Sequence, residues 1–96
     1  MSQLSLVGPA AAGVTAVDID GRFSVFNPRT GRVLTLNETA SDVWRLCDGQ
    51  SDVRSITAAL AVAYGEPADA INASILSTIT LFETEGLLAH PEPAAE

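Results

Sequence analysis

The hydrophobic period of the sequence changes once, at Leu36-Asn37, and this change limits the folds that the chain can adopt. Before it, apolar and polar residues alternate in short runs near 17–20, 22–25 and 32–36, the pattern of half-buried strands. Tight turns containing Gly or Pro separate the runs. The pattern therefore predicts three antiparallel strands in a meander.

After Leu36 the apolar residues recur at helical spacing. We predict a first helix that begins after an Asn37 cap and ends at Asp48-Gly49. A second helix begins after a Ser51 cap and ends at Gly65, and a third runs from about Pro67 to residue 85. The apolar stripes are Ala40, Val43, Trp44 and Cys47; Val53, Ile56, Leu60 and Ala63; and Ile71, Ile75, Ile79 and Phe82. The predicted class is α+β and winged helix-turn-helix-like, with a three-stranded antiparallel sheet followed by three helices.

The length of 96 residues suits one small domain. We assign it to residues 13–88, with a flexible N-terminus at 1–12 and a flexible tail at 89–96, because both ends are rich in small residues and proline. The start has no basic region like that of a signal peptide, and no segment approaches the length that spans a bilayer. A soluble, cytoplasmic protein without membrane contact is expected.

Catalytic and metal-binding residues are scarce in this sequence. A metal site of the zinc type needs three or four His or Cys ligands, but the chain has only Cys47 and His90. Cys47 lies on an apolar helix stripe and is interpreted as a core thiol, and His90 as a solvated tail residue. The carboxylate pairs are interpreted as solvated charges: Asp18 with Asp20, and Glu83 with Glu85. We predict no enzyme activity, no metal and no cofactor.

The charge balance argues against nucleic acid as a partner. Five arginines, no lysine and twelve acids give a net charge of −7. The third helix would be the recognition helix of a DNA-binding module, yet it carries no basic residue, whereas DNA affinity comes largely from contacts of Lys and Arg with phosphate. Trp44 is interpreted as a core residue rather than a base-stacking platform, since only Arg45 beside it is basic.

The stretch LNETASDVWRLCDG resembles the PqqD family, as do the helix that ends in AYG and the last helix that ends in FETEGLL. The similarity runs from about Asp18 to Leu88. Its strongest parts are Leu36-Asn37-Glu38-Thr39-Ala40, Trp44, Asp48-Gly49 and Gly86-Leu87-Leu88. This family is the prototype of the recognition elements for leader segments of ribosomally made, post-translationally modified peptides, as in the synthesis of PQQ or lasso peptides.

The resemblance implies a non-catalytic module that captures the leader of a precursor peptide by β-strand addition. It would present the peptide to a maturation enzyme: a radical SAM enzyme, a cyclase or a leader peptidase. In the family, the leader pairs with the third strand and lies against the third helix. The implied peptide-binding residues are Arg32, Val33, Leu34, Thr35 and Leu36 on the strand and Ile71, Ser74, Ile75, Thr78, Ile79 and Phe82 on the helix.

Physical reasoning on the same segments agrees with this implication. A short edge strand exposes unpaired N–H and C=O groups, and strand addition uses such groups for affinity. Small residues on the third helix leave room for a peptide to approach. The residues Ile75, Ile79 and Phe82 can equally belong to the core. Many family members carry more charge in this helix, so the polar contacts that would select a leader stay open.

Two other functions remain open at this stage. The chain could be a winged-helix adaptor that contacts a different protein, or, as a weaker alternative, a DNA-binding regulator. The peptide product, the partner enzyme and the oligomeric state also stay open, because an exposed edge strand can pair with a second copy.

Overall fold

The computed structural model describes residues 6–89 and confirms the α+β class and the predicted order of elements. Three strands form one antiparallel sheet in the order β1-β2-β3, and three helices follow. No helix among residues 6–89 is both long and apolar enough to cross a membrane. His90 lies outside the described residues. The elements are β1 (Thr15–Ile19), β2 (Arg22–Asn27), β3 (Arg32–Thr35), α1 (Glu38–Leu46), α2 (Val53–Tyr64) and α3 (Ala68–Thr84).

The predicted joint between the third strand and the first helix is confirmed. The N–H of Leu36 still pairs with the carbonyl oxygen of Phe23 at 2.8 Å, and Asn37 then caps α1 by accepting a bond from the N–H of Ala40 at 2.8 Å. Leu36 is 3% exposed and anchors the joint in the core. This short connection ties the position of β3 to that of the helices.

The helix ends differ from the prediction in three places. Asp52, not Ser51, caps α2, because its side-chain oxygen accepts the N–H of Ser55 at 2.8 Å. Pro67 is the N-cap of α3 rather than its first residue. The first helix ends at Leu46, before Asp48-Gly49. Gly65 ends α2 in the left-handed conformation, as predicted.

The core lies between the inner face of the sheet and the three helices. Its largest fully buried side chains are Phe82, Ile56, Ile75, Ile79 and Leu87. Trp44 is half-buried and packs edge-on against Phe82, with ring centroids 5.4 Å apart. Cys47 is buried in the same cluster, and burial, with the nearby carboxylates of Asp48 and Glu83, raises the pKa of its thiol to about 12. Such a thiol is inert, in keeping with the predicted structural role.

The segment from residue 6 to 11 packs against the domain, although the sequence predicts a flexible start there. Val7 is 4% exposed, donates its N–H to the carbonyl of Ser51 and accepts the N–H of Gly49, both at 2.8 Å. Ala11 donates to the carbonyl of Leu87. The segment therefore holds the loop before α2 against the residues that directly follow α3, and the assignment of the domain to residues 13–88 leaves out a part of its packing.

Candidate functional site

The free edge of β3 is the first component of the candidate site. Main-chain groups point to alternate sides along a strand. Because the N–H of Leu36 faces Phe23, the main-chain groups of Leu34 also face β2, where Leu34 pairs with Val25. The N–H and C=O groups of Val33 and Thr35 consequently face away from the sheet. They offer two donors and two acceptors to an added strand.

Side chains of β3 divide between the two faces of the sheet. Leu34 is half-buried and pairs with the buried Val25, so it lies on the face that packs on the helices. Val33 is 59% exposed and pairs with Phe26, which is 39% exposed on the outer face. A strand added to β3 would therefore direct every second side chain toward the helices.

The second component is one face of α3. Residues Ile71, Ser74, Thr78 and Leu81, followed by the C-cap Glu85, are spaced by three or four and share this face. Ser74 is exposed, Ile71 and Thr78 are half-buried, and Leu81 is 42% exposed. The hydroxyl of Thr78 donates to the carbonyl of Ser74 at 2.9 Å, which satisfies its donor within the helix. The face is thus accessible, mixes small and apolar side chains, and carries no charge before Glu85.

Two contacts hold the end of this face beside the start of β3. The guanidinium of Arg32 binds the carboxylate of Glu85 through Nε at 3.0 Å and through a terminal nitrogen at 3.2 Å. The side-chain amide of the buried Asn27 donates to the main-chain carbonyl of Glu85 at 2.8 Å. The side chains of Arg32 in β3 and Asn27 in β2 thus both hold the C-terminal end of α3 beside the sheet.

The main chains of β3 and α3 stay apart over the rest of their length. Within these two fully described elements, no Cα atom of β3 lies within 8 Å of a Cα atom of α3. Neighbouring strands are about 4.8 Å apart, so a strand beside β3 would take a place that residues 6–89 leave open. The arrangement offers main-chain hydrogen bonds on one side and a helix face near them.

The predicted site residues fall into two groups in the structure. The strand residues Arg32 to Thr35 and the helix residues Ile71, Ser74 and Thr78 lie along the free edge and the accessible helix face. The others are in the core: Leu36 at 3%, Ile75 at 1%, and Ile79 and Phe82 at 0% exposure. For these helix residues the structure favours the core interpretation that the sequence left open.

Leu81 and Glu85 are absent from the predicted set but complete the accessible helix face. Leu81 follows Thr78 by three positions and Glu85 follows Leu81 by four. The spacing alone could have revealed them, had the stripe through Ile71 and Ser74 been extended to the C-terminus of the helix. The predicted set came from the family resemblance, passed over Leu81 and ended at Phe82, before Glu85.

A separate groove of about 510 Å³ lies between α2 and α3. It is lined by Arg54, Thr57 and Ala58 from α2 and by Ala68, Asp69, Asn72 and Ala73 from α3. By helical geometry, Asp69 and Ala73 are on the side of α3 opposite to Glu85. This groove is therefore not continuous with the edge of β3. Among residues 6–89, no three His, Cys, Asp or Glu side chains are grouped closely enough to hold a metal ion.

Comparison with known proteins identifies the family. The family described as coenzyme PQQ synthesis protein D (PqqD) matches residues 23–88, which is more than half of the chain. The chain belongs to the PqqD family. The match confirms the resemblance of the LNETASDVWRLCDG segment and of the final helix. No curated protein matches the chain by sequence.

Two solved structures share the PqqD fold of this chain. The first, "TbiB1 in Complex with the TbiA(beta) Leader Peptide", has a TM-score of 0.74 at 17% identity and covers 86% of this chain and 98% of that one. The second, "Lasso peptide synthetase B1 complexed with the leader peptide", has a TM-score of 0.71 at 22% identity and covers 85% of this chain and 96% of that one. At these identities the likeness establishes the fold.

Proposed function

We propose that this PqqD-family protein binds the leader segment of a ribosomally made precursor peptide. The leader adds as a fourth strand to the free edge of β3 and contacts the face of α3 that ends at Glu85. The observation that carries the proposal is the outward main-chain groups of Val33 and Thr35, which have no partner among residues 6–89, beside an accessible helix face. Both solved relatives are named as complexes with leader peptides, which supports the same ligand class here.

Specificity in this site comes from the helix-facing side chains of the leader. Main-chain hydrogen bonds to Val33 and Thr35 do not depend on the sequence of the leader. Pockets beside the strand, by contrast, select particular side chains of the leader. Leu34 and the apolar residues Ile71 and Leu81 favour an apolar leader residue, and Ser74 leaves space for a large one. The net charge of −7 favours leaders that carry basic residues. Because the leader becomes ordered on binding, we expect a Kd of roughly 10 nM to 10 μM.

The protein acts as a carrier and not as a catalyst in this proposal. It presents the leader-bound precursor in the cytoplasm to a separate maturation enzyme, which is a radical SAM enzyme, a cyclase or a leader peptidase. The one thiol among residues 6–89, Cys47, is buried with a pKa raised to about 12. It is therefore unsuited to nucleophilic chemistry.

A winged-helix adaptor that binds no leader is the rival function, and a DNA-binding regulator is a weaker one. The α3 helix contains acidic residues and no basic residue from Ala68 to Thr84, so contact with DNA phosphates in the recognition position would be repulsive. A gel shift that weakens with added salt would support the regulator, and we expect none.

The test is fluorescence anisotropy with labelled leader peptides from precursor genes that neighbour the gene for this protein. We expect Thr35→Pro to weaken binding at least tenfold, because proline removes an outward N–H while the ladder to β2 persists. The matched control Thr35→Val keeps the N–H and the shape of the side chain, and should bind within threefold of the wild type. Proline at Leu34 is less informative, since that N–H faces β2.

A second pair of variants tests the helix face. Ser74→Trp fills the space between α3 and the added strand and should weaken binding at least tenfold. Thr80→Trp, on the opposite side of the same helix, should have little effect. Circular dichroism establishes that each variant is folded. Wild-type affinity in folded Thr35→Pro and Ser74→Trp would exclude this site, and the absence of binding to every such leader would favour the adaptor.

A further inference from the structure

Within the described part of the chain, residues 6–89, the sheet has a second open edge, on β1, which the proposed leader site does not use. All five residues of β1 are exposed. Because Phe23 faces β3, Ser24 and Phe26 face β1, and their partners Val17 and Thr15 point into the sheet. The main-chain groups of Ala16 and Asp18 consequently face solvent.

The β1 edge has few of the features that protect an edge strand. Such strands commonly carry lysine, proline, a bulge or a charge that points to the inner face, or are very short. The β1 segment reads TAVDI, pairs regularly with β2 over five residues, and includes one charged residue, Asp18. The charge of Asp18 is partly balanced, since Arg45 lies 3.7 Å from its carboxylate and the N–H of Gly21 donates to it at 2.8 Å.

We propose that two copies of this protein pair through their β1 strands in an antiparallel, two-fold arrangement. Full overlap places Val17 opposite Val17 of the second copy, Ala16 opposite Asp18, and Thr15 opposite Ile19. In this register the outward-facing residues Ala16 and Asp18 meet each other and exchange four main-chain hydrogen bonds. The register also avoids placing two Asp18 carboxylates directly opposite, which would be unfavourable.

A second copy fits this edge better than a leader peptide does. The β1 residues on the inner face, Ala16 and Asp18, are exposed, whereas Leu34 on the inner face of β3 is half-buried. A guest strand at β1 would therefore find main-chain groups but little helix surface to select its side chains. A second copy brings its own exposed Val17 and Ile19, at 58% and 57%, as cross-strand partners on the outer face. The β3 edges of both copies remain free at the ends of a six-stranded sheet.

The association should be weak and should strengthen with salt. An edge-to-edge contact of five residues buries less than the ~800 Å² per partner of a stable interface, so we expect a Kd of roughly 0.1–1 mM. Each copy carries a net charge of −7, and salt screens their repulsion. Sedimentation velocity should therefore show a dimer fraction that grows with protein concentration and with ionic strength.

The register is tested by cross-linking of cysteine variants with oxidised glutathione, which is reduced as two thiols form one disulfide. Val17→Cys places two thiols at a non-hydrogen-bonded pair, where Cα atoms about 4.5 Å apart permit a disulfide. Ile19→Cys is the matched control, because Ile19 is nearly as exposed as Val17 but its symmetry mate lies about 13 Å away along the strand. Cys47 is buried in both variants. We expect cross-linking of Val17→Cys to be at least tenfold faster.

A further variant tests the main-chain bonds. Ala16→Pro removes an outward N–H and leaves the ladder to β2 intact, so it should weaken self-association at least tenfold without loss of fold. Equal cross-linking rates for the two cysteine variants would overturn the register. A monomer at about 1 mM protein in high salt would overturn the dimer itself. Neither outcome bears on leader binding at β3, which is measured separately by anisotropy.

Discussion

The side-chain amide of Asn27 donates a hydrogen bond of 2.8 Å to the main-chain carbonyl of Glu85, across 58 positions of sequence. Asn27 is the last residue of β2 and is 3% exposed, and its side-chain oxygen accepts the N–H of Arg29 at 3.0 Å. One buried side chain thus organises the β2–β3 turn and holds the C-terminus of α3. Because β3 begins at the end of this turn, the same contact aligns the two sides of the proposed leader site.

Replacement of Asn27 by Ala should lower the free energy of unfolding by about 1–3 kcal/mol, because it removes hydrogen bonds and leaves buried main-chain groups unpaired. Urea denaturation measures the change. Asn72→Ala is the matched control, since Asn72 is half-buried and loses a longer bond of 3.2 Å to Thr57. We expect a smaller loss for the control; equal stability of Asn27→Ala and wild type would show that this contact does not hold the helix end.

The ion pair between Arg32 and Glu85 should contribute little to the free energy of unfolding. Its loss should have a larger effect on the affinity for the leader. Their side chains are 63% and 18% exposed, and solvent-exposed pairs typically contribute below about 1 kcal/mol. A double-mutant cycle with Arg32→Met and Glu85→Gln, followed by urea denaturation, measures the coupling. The same variants in the anisotropy assay should show weakened binding, and unchanged affinity would place the leader away from this end of the site.

Alkaline pH should destabilise the protein through Cys47 and Tyr64. Burial raises the pKa of the Cys47 thiol from 9.0 to about 12. Tyr64 is 39% exposed, and partial desolvation with its hydrogen bond to Asp42 raises the pKa of its phenol from 10.0 to about 12. The unfolded chain releases these protons at lower pH than the folded chain does. Their contribution to stability is therefore complete below pH 9 and is lost as the pH rises toward 12.

Thermal unfolding between pH 8 and 11 measures this loss, and the variants Cys47→Ala and Tyr64→Phe separate the two groups. Each variant should show a shallower decline of stability with pH than the wild type. If stability declined as steeply with pH in both variants as in the wild type, the alkaline sensitivity would belong to other groups.

The segment before β1 should be needed for full stability. Val7→Ala should lower the free energy of unfolding by about 1–3 kcal/mol, because it empties space in the core. The neighbouring Leu6→Ala is the control, since Leu6 is 51% exposed whereas Val7 is 4% exposed. Urea denaturation should show a larger loss of stability for Val7→Ala than for Leu6→Ala. Equal losses would mean that the burial of Val7 does not stabilise the fold.

The sequence alone determined the class of fold and the order of its elements. Alternation in three short runs and helical spacing after Asn37 are local patterns, and local patterns decide whether a segment forms a strand or a helix. The Asn37 cap and the Gly65 terminus were predictable for the same reason, since a cap involves only residues a few positions apart. The segment from Leu36 to Gly49 also shows the family resemblance, which predicted β3 and α3 as the peptide-binding elements.

The accessible face of α3 is set by packing between elements that are far apart in the sequence. Ile71, Ile75 and Ile79 follow helical spacing equally well, but packing buries Ile75 and Ile79 and leaves Ile71 at the edge with Ser74. The burial of Val7 and the bond from Asn27 to Glu85 likewise join segments far apart in sequence, and periodicity carries no information about such pairs. An apolar stripe shows that a helix has a side to cover, but only the folded chain determines what covers it.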